Sequence, residues 1–312
     1  MQQIFVAGSG RSGTTWIADV LASCRGCCAV YEPLRASMVP EVPTGGTQGE
    51  HPATYLSPRD DHGEWQTFFG RLFNGEISNC WTRQDWHHAG MHSWRLVPPR
   101  LRPRIASFKE RLHRRSAQHC VMKDIRANLL LAWLSRRFPV RVIYLLRHPC
   151  AVVASRLRLQ WSDVLDEVVA QPALVADFLR PHRQLIQSMT TPLQRMTAHW
   201  CIENLVPLTQ LAAGADWITV RYEECLASPQ AVFGGLFERL DLSPSVATPA
   251  KMAGLVSTPS VNAGRMRSWH DPLTEAEGSE VLDICGRFGV TLYGRELAPP
   301  REPRSAVTAD RV

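Results

Sequence analysis

Short apolar runs, each followed by apolar residues at i, i+3 and i+4, recur along most of the chain. Residues 3–7 read as a strand. A glycine-rich loop follows, and then a helix over 14–24 that gathers Ile17, Val20, Leu21 and Cys24 on one face. From residue 36 to about residue 103 the rhythm fails. That stretch is rich in Pro, Gly, His and Trp, and only 65–73 keeps a helical pattern. Order returns with a basic helix over 104–116 and a three-residue strand over 120–122. A helix over 126–138 carries Leu130, Leu131 and Leu134 and is stopped by Pro139. A buried strand covers 140–146, and Pro149 opens a helix over 149–158. Helices over 161–167, 172–188 and 191–213, a strand over 217–221 and a helix over 229–240 follow. Such alternation predicts an α/β fold, a central parallel sheet flanked by helices in three layers. The expected organisation is one domain over 1–298, a loop-rich inserted cap over 36–115, and a flexible Pro- and Arg-rich tail over 299–312.

Composition narrows the class. With 45% hydrophobic and 21% charged residues in 312, a large core can form and wholesale disorder is excluded. The net charge of +6 suits an anionic ligand without pointing to nucleic acid. No run approaches the roughly 18 apolar residues of a membrane span, and no signal-peptide pattern opens the chain. Nine cysteines is an odd count for a disulfide scaffold, and several lie in apolar stretches, so reduced thiols in a cytoplasmic protein are expected. Cys24 and Cys27 form a C-x-x-C with no second pair to complete a zinc set, and read as small thiols at a helix end.

The candidate chemistry begins at Gly8-Ser9-Gly10-Arg11-Ser12-Gly13-Thr14-Thr15, between a strand and a helix. Glycines let the backbone aim its N–H groups inward, and the helix adds its positive end, so an anion is held there in a P-loop-like arrangement. In a nucleoside-triphosphate loop a lysine would stand at Thr14; here the loop's cation is Arg11. A second element is the strand ending in Arg147, followed by Ser155 on the next helix; both can converge on a phosphate at the carboxyl edge of the sheet.

Arg11-Ser12-Gly13-Thr14-Thr15-Trp16 resembles the 5′-phosphosulfate loop of sulfotransferases that use 3′-phosphoadenosine-5′-phosphosulfate, and Val142 to Pro149 with Ser155 resembles their 3′-phosphate element. Tyr31-Glu32-Pro33-Leu34 is similar to a segment of the carbohydrate sulfotransferases. The 21-residue spacing from Arg11 to Glu32 and the pair Lys123-Asp124 resemble the tyrosylprotein branch. Val220 to Glu224 and Arg265-x-Arg267-Ser268-Trp269 also look like the family, and the loop Arg11 sets the chain apart from the cytosolic phenol and steroid branch.

The resemblance implies a soluble, bacterial-type sulfotransferase, with Glu32 as general base and Arg11 and Lys123 stabilising charge on the transferring group. It implies that Ser12, Gly13, Thr14 and Thr15 hold the 5′-phosphate, and Arg147 and Ser155 the 3′-phosphate with help from Arg265 or Arg267. Trp16 and Tyr222 would flank the adenosine, no metal would be needed, and the acceptor would be a glycan or small molecule. Residues 95–115 carry Arg95, Arg100, Arg102, Arg104, Lys109, Arg111, Arg114 and Arg115 against Glu110, a basic run that suits a polyanion or reads as a solvated helix. His87, His88, His92, Trp81, Trp86 and Trp94 crowd the same region, with histidine as an alternative base. A P-loop kinase is the competing reading, opposed by Thr14 at the lysine position; a polyanion binder leaves both phosphate elements unexplained.

Overall fold

The structure, a computed structural model, describes residues 1–43, 53–77, 112, 114–253 and 273–295. Five parallel strands form one sheet in the order β2-β3-β1-β4-β5. The central strand β1 (Gln2–Gly8) pairs with β3 (His119–Asp124) on one side and β4 (Val140–Leu146) on the other. Strand β2 (Cys27–Tyr31) lies at one edge and β5 (Ile218–Arg221) at the other. Side chains alternate across β1. Ile4 and Val6 join Ile17, Leu21, Val121, Ile143 and Phe233 on one face, and Phe5 and Ala7 join Phe69, Met122 and Trp133 on the other. Both faces are covered, which is why the strands read as continuous apolar runs.

The helices that matter for the site are α1 (Thr14–Ala22), α2 (Gly63–Phe73), α3 (Leu131–Arg137), α4 (Pro149–Arg158) and α5 (Leu165–Val169), then α6 (Pro192–Ala212), α7 (Tyr222–Ala227) and α8 (Pro229–Leu240). In α6, Pro207 has no N–H to offer the Glu203 carbonyl four residues back; the Asn128 side chain supplies it instead, at 3.0 Å. Helix α2 brings Phe69 against Phe5 and Trp133, so this part of residues 36–115 belongs to the main core.

Several elements differ from the sequence reading. β3 is six residues rather than three, so Lys123 and Asp124 lie within it. Helix α3 starts at Leu131 rather than 126, because the Asp124 carboxylate accepts from the Arg126 N–H at 2.8 Å and turns the chain. The expected helix over 172–188 is broken into short turns, with a 3-10 turn at Arg180–His182 where Pro181 withholds a donor. Cys24 follows α1, whereas Cys27 and Cys28 open β2, a strand the pattern did not announce. The helix Glu275–Arg287 was also unannounced, although Thr274 and Glu277 form a capping box. Among the described residues all eight cysteines are free and buried, and burial pushes the thiols of Cys27, Cys150 and Cys225 up to about 12. No helix among the described residues is long and apolar enough to cross a membrane.

Candidate active site

The loop between β1 and α1 is shaped by close approach. A Cβ on Gly8 would lie 2.5 Å from the Leu145 carbonyl oxygen, and Gly13, at φ +96°, has the Tyr222 ring 2.5 Å from where its Cβ would be. Gly13 gives α1 no side-chain cap, so the first-turn N–H groups are left to an external acceptor. Ser12 turns inward, its hydroxyl donating to the Ser9 carbonyl at 2.5 Å, while the Asn204 amide donates to the Ser9 hydroxyl at 3.0 Å. Gly13, Thr14, Thr15 and Trp16 line a cavity of about 680 Å³; Ser12 does not.

Arginines crowd this loop. Arg11, at φ 77°, donates from Nε to the Ser155 hydroxyl at 3.0 Å, and its carbonyl accepts from Arg147 at 2.8 Å. The Arg147 guanidinium lies 4.3 Å over the Tyr222 ring. Burial pushes the Arg11 pKa down, and the like charges of Arg147 and Arg158 reinforce it. Trp16 packs edge-on against Tyr222 and Phe233 and donates to the Lys251 carbonyl at 3.2 Å.

Glu32 caps the same cavity from the end of β2. Its backbone takes φ +50°, a costly conformation for a residue with a side chain, and its N–H donates to the Lys123 carbonyl at 2.7 Å. One carboxylate oxygen pairs with Lys123 and the other with Arg126 at 2.8 Å. Lys123 therefore pairs with Glu32 and not with Asp124. Asp124, fully buried, ties two turns together instead. It accepts from the Leu34 N–H at 2.6 Å and the Arg126 N–H at 2.8 Å, fixing the turns that carry Glu32 and Arg126.

Burial, with the charge of Glu32 behind it, pushes the Asp124 pKa up to about 7. In the unfolded chain it titrates near about 3.9. Between those values the native state holds the extra proton, so the stabilising contribution is full below about pH 4 and is lost as pH rises through about 7. Urea unfolding of the wild type and Asp124→Asn across pH 4–8 should show the wild type losing stability relative to the variant as pH rises. A relative gain would contradict the assignment.

A third wall was not foreseen. Arg156, in α4, is buried and donates to Glu203 at 2.7 Å and weakly to the Gly10 carbonyl at 3.3 Å. Glu203 also lies 3.4 Å from His199, one turn earlier on α6. Burial pushes the His199 pKa down, and Arg156 reinforces it; Arg156 likewise offsets the burial of Glu203 and leaves its pKa low. Trp161 rests on Gly10, whose Cβ would lie 2.4 Å from the indole, and the Arg156 guanidinium lies 5.5 Å over that ring. Trp161, His199, Glu203, Arg35 and Arg126 all line the cavity.

Of the residues singled out in the sequence, Arg11, Gly13, Thr14, Thr15, Trp16, Glu32, Lys123, Arg147 and Tyr222 share this cavity. Ser155 reaches it through Arg11. Arg265, Arg267, the histidines and tryptophans of 81–94, and the basic run apart from Arg114 and Arg115 lie outside the described residues. Arg114 is buried and donates to the carbonyls of Leu72 and Ile77, so one charge of that run is structural.

A family model described as "Sulfotransferase family" matches residues 3–245. The solved sulfotransferase domain of the Synechococcus PCC 7002 olefin synthase is similar at 15% identity and TM-score 0.48, over 92% of this chain and 94% of that one. The sulfotransferase domain of the curacin biosynthetic pathway is similar at 14% identity and TM-score 0.49, over 92% and 98%. A Mycobacterium tuberculosis H37Rv sulfotransferase is similar at 13% identity and TM-score 0.44, over 92% and 76%. No match was found among curated proteins.

Proposed function

The chain belongs to the sulfotransferase family, and from that premise we propose that it moves a sulfuryl group from 3′-phosphoadenosine-5′-phosphosulfate to the hydroxyl of a small-molecule or glycan acceptor. The observation that carries this reading is one cavity holding the open N-terminus of α1, the cations Arg11, Lys123 and Arg147, and the carboxylate of Glu32. The residues fit the donor. Its volume lies in the ordinary range for a bound small molecule, and the gathered arginines call for a multiply charged anion. The donor supplies an activated sulfuryl group with a phosphate as leaving group.

The roles proposed rest on the family resemblance and on which of these residues share the cavity. Glu32 takes the acceptor's hydroxyl proton, so that the acceptor oxygen can bond to sulfur as the sulfur–oxygen bond to the 5′-phosphate breaks. Lys123 and Arg11 meet the charge that develops on the sulfonate and the departing phosphate. The N–H groups of Gly13 to Thr15 hold the 5′-phosphate, and Ser12, whose N–H and hydroxyl both donate to the Ser9 carbonyl, shapes the turn that presents them. Arg147 and Ser155 hold the 3′-phosphate, with Arg265 or Arg267 assisting. Tyr222 and Trp16 border the adenosine. Because Lys123 and Arg126 both engage Glu32, proton uptake requires at least one of these pairs to loosen. The attraction of Lys123 for the donor's anionic groups provides that release.

The test is binding of the product 3′-phosphoadenosine-5′-phosphate (PAP). At a hundredfold excess over its Kd it should raise stability by about 2.7 kcal/mol without added metal, read as a rise in melting temperature. Arg147→Ala should weaken PAP by about 1.5–3 kcal/mol while leaving adenosine 5′-phosphate nearly unchanged. No thermal shift, or one that requires magnesium, counts against the donor. Equal losses for both nucleotides move Arg147 off the 3′-phosphate.

A further inference from the structure

Two further contact groups line the cavity that holds Glu32. One is Trp16, Tyr222 and Arg147, which the reading above gives to the donor nucleoside. The other is apolar: Ile125, Trp161 and Val164, each half-buried, with Ala53 beside them. Nothing in a phosphorylated nucleotide calls for this second wall, yet it is firmly built. The Trp161 indole lies against the Gly10 backbone, the Ile125 side chain is 3.2 Å from where a Gly10 Cβ would be, and the Trp161 backbone N–H donates to the Arg156 carbonyl at 3.1 Å. The Ala53 carbonyl accepts from Gln171 at 3.0 Å, which also receives the Tyr55 N–H at 2.7 Å.

The charges around the cavity divide in a telling way. Among the described lining residues, Arg11, Arg35, Lys123, Arg126 and Arg147 face the carboxylates of Glu32 and Glu203. Glu203 is already matched from behind by Arg156, so the cations exceed Glu32 by four, and any further partner of Arg35 lowers that surplus. The donor carries about four negative charges, two on its 3′-phosphate and one on each side of the phosphosulfate link. Among the described lining residues, donor binding therefore matches the surplus. Of the remaining lining, Trp161 with its aliphatic neighbours Ile125 and Val164, flanked by Gln160 and Ser162, is the part suited to a flat apolar body.

We propose that the acceptor is an uncharged hydroxyl compound with a flat apolar body, held along Ile125, Trp161 and Val164, and that Trp161 is the specificity-determining residue. This rests on the sulfuryl-transfer reading, and the experiment separates the two. The probes are 2-naphthol and 6-hydroxy-2-naphthoic acid, which share a flat body and differ by a carboxylate. Calorimetry measures PAP binding to the protein and then binding of each probe to the PAP-loaded protein; labelled-sulfate transfer gives KM.

The expected result is that 2-naphthol binds and accepts sulfate, and that the naphthoic acid does no better. Trp161→Ala should raise the KM for 2-naphthol roughly tenfold, a larger effect than the loss of PAP affinity that follows from removing the indole from Gly10, and Trp161→Phe should restore most of the loss. Should Trp161→Ala fail to fold, Val164→Ser on the same wall carries the test, with the same direction expected. Normal PAP binding with no 2-naphthol binding overturns the proposal and leaves the sulfotransferase reading standing. So does a roughly tenfold preference for the carboxylate, which would assign the acceptor to Arg35 and Arg126, and so does an unchanged KM in the wall variants. Failure of PAP to bind at all overturns both.

Discussion

Glu32→Gln is expected to lower turnover by about 10²–10⁴-fold, the range for loss of a general base, while PAP affinity stays within about twofold. The amide keeps the size of the side chain and one acceptor oxygen but takes no proton. Its neighbours make the result informative. Lys123 and Arg126 hold the two carboxylate oxygens, and the left-handed backbone at Glu32 fixes where the side chain starts. A Gln side chain must turn its NH₂ toward one of these cations, so some local loosening is expected, mostly at Arg126, which is the more exposed of the two. Near-normal turnover would assign the proton to another group. A matching collapse of PAP binding or of melting temperature would make Glu32 a structural counter-ion for Lys123. Single-turnover transfer and PAP calorimetry on one preparation distinguish these outcomes.

What the sequence displayed is what lies contiguously along it. The phosphate loop and the strand ending at Arg147 are local units, in which an apolar run, glycines and a helix start announce themselves within about fifteen residues. The extent of β3 was underestimated because Lys123 and Asp124, at its carboxyl end, break the apolar run; Lys123 faces the site and Asp124 ties the turns beneath it, and function is where local pattern and fold part company. β2 was hidden for another reason. Cys-Cys-Ala-Val-Tyr is short, paired on one side only, and opens directly after a turn at Gly26, so it lacks the flanking signals of an interior strand.

The third wall was illegible because it is built from distance. Arg156 meets Glu203 across 47 residues and Gly10 across 146, and Arg126 meets Glu32 across 94. None of these partners stands in a motif with the other. The break of the 172–188 helix, by contrast, was written in the chain: Pro181 sits in its middle, and the apolar spacing around it concealed its effect.

Glu203→Ala is expected to be the most destabilising single change in the site, by about 3–5 kcal/mol, the cost of leaving one member of a buried ion pair alone. The side chains of Arg156 and Glu203 are 1% and 6% exposed, so the truncation leaves a desolvated guanidinium without its partner. The loss has a direction in the structure. Arg156 contacts the Gly10 carbonyl at the entrance of the phosphate loop and lies over Trp161; with its charge unmatched, it must leave that position or draw water in. PAP affinity should therefore fall and the Trp161-dependent KM rise together, unlike the separated effects expected for Glu32. The double variant Glu203→Leu with Arg156→Met removes both charges and should recover much of the stability, because the penalty belongs to the orphaned guanidinium and not to the absence of the pair. It should not recover the hold on Gly10, so donor affinity should remain weakened. Urea unfolding with PAP calorimetry on all variants tests this. A single-variant loss under about 1 kcal/mol would show that solvent already screens the pair. Recovery of donor affinity in the double variant would show that Gly10 is held by its glycine neighbours and by Trp161 alone.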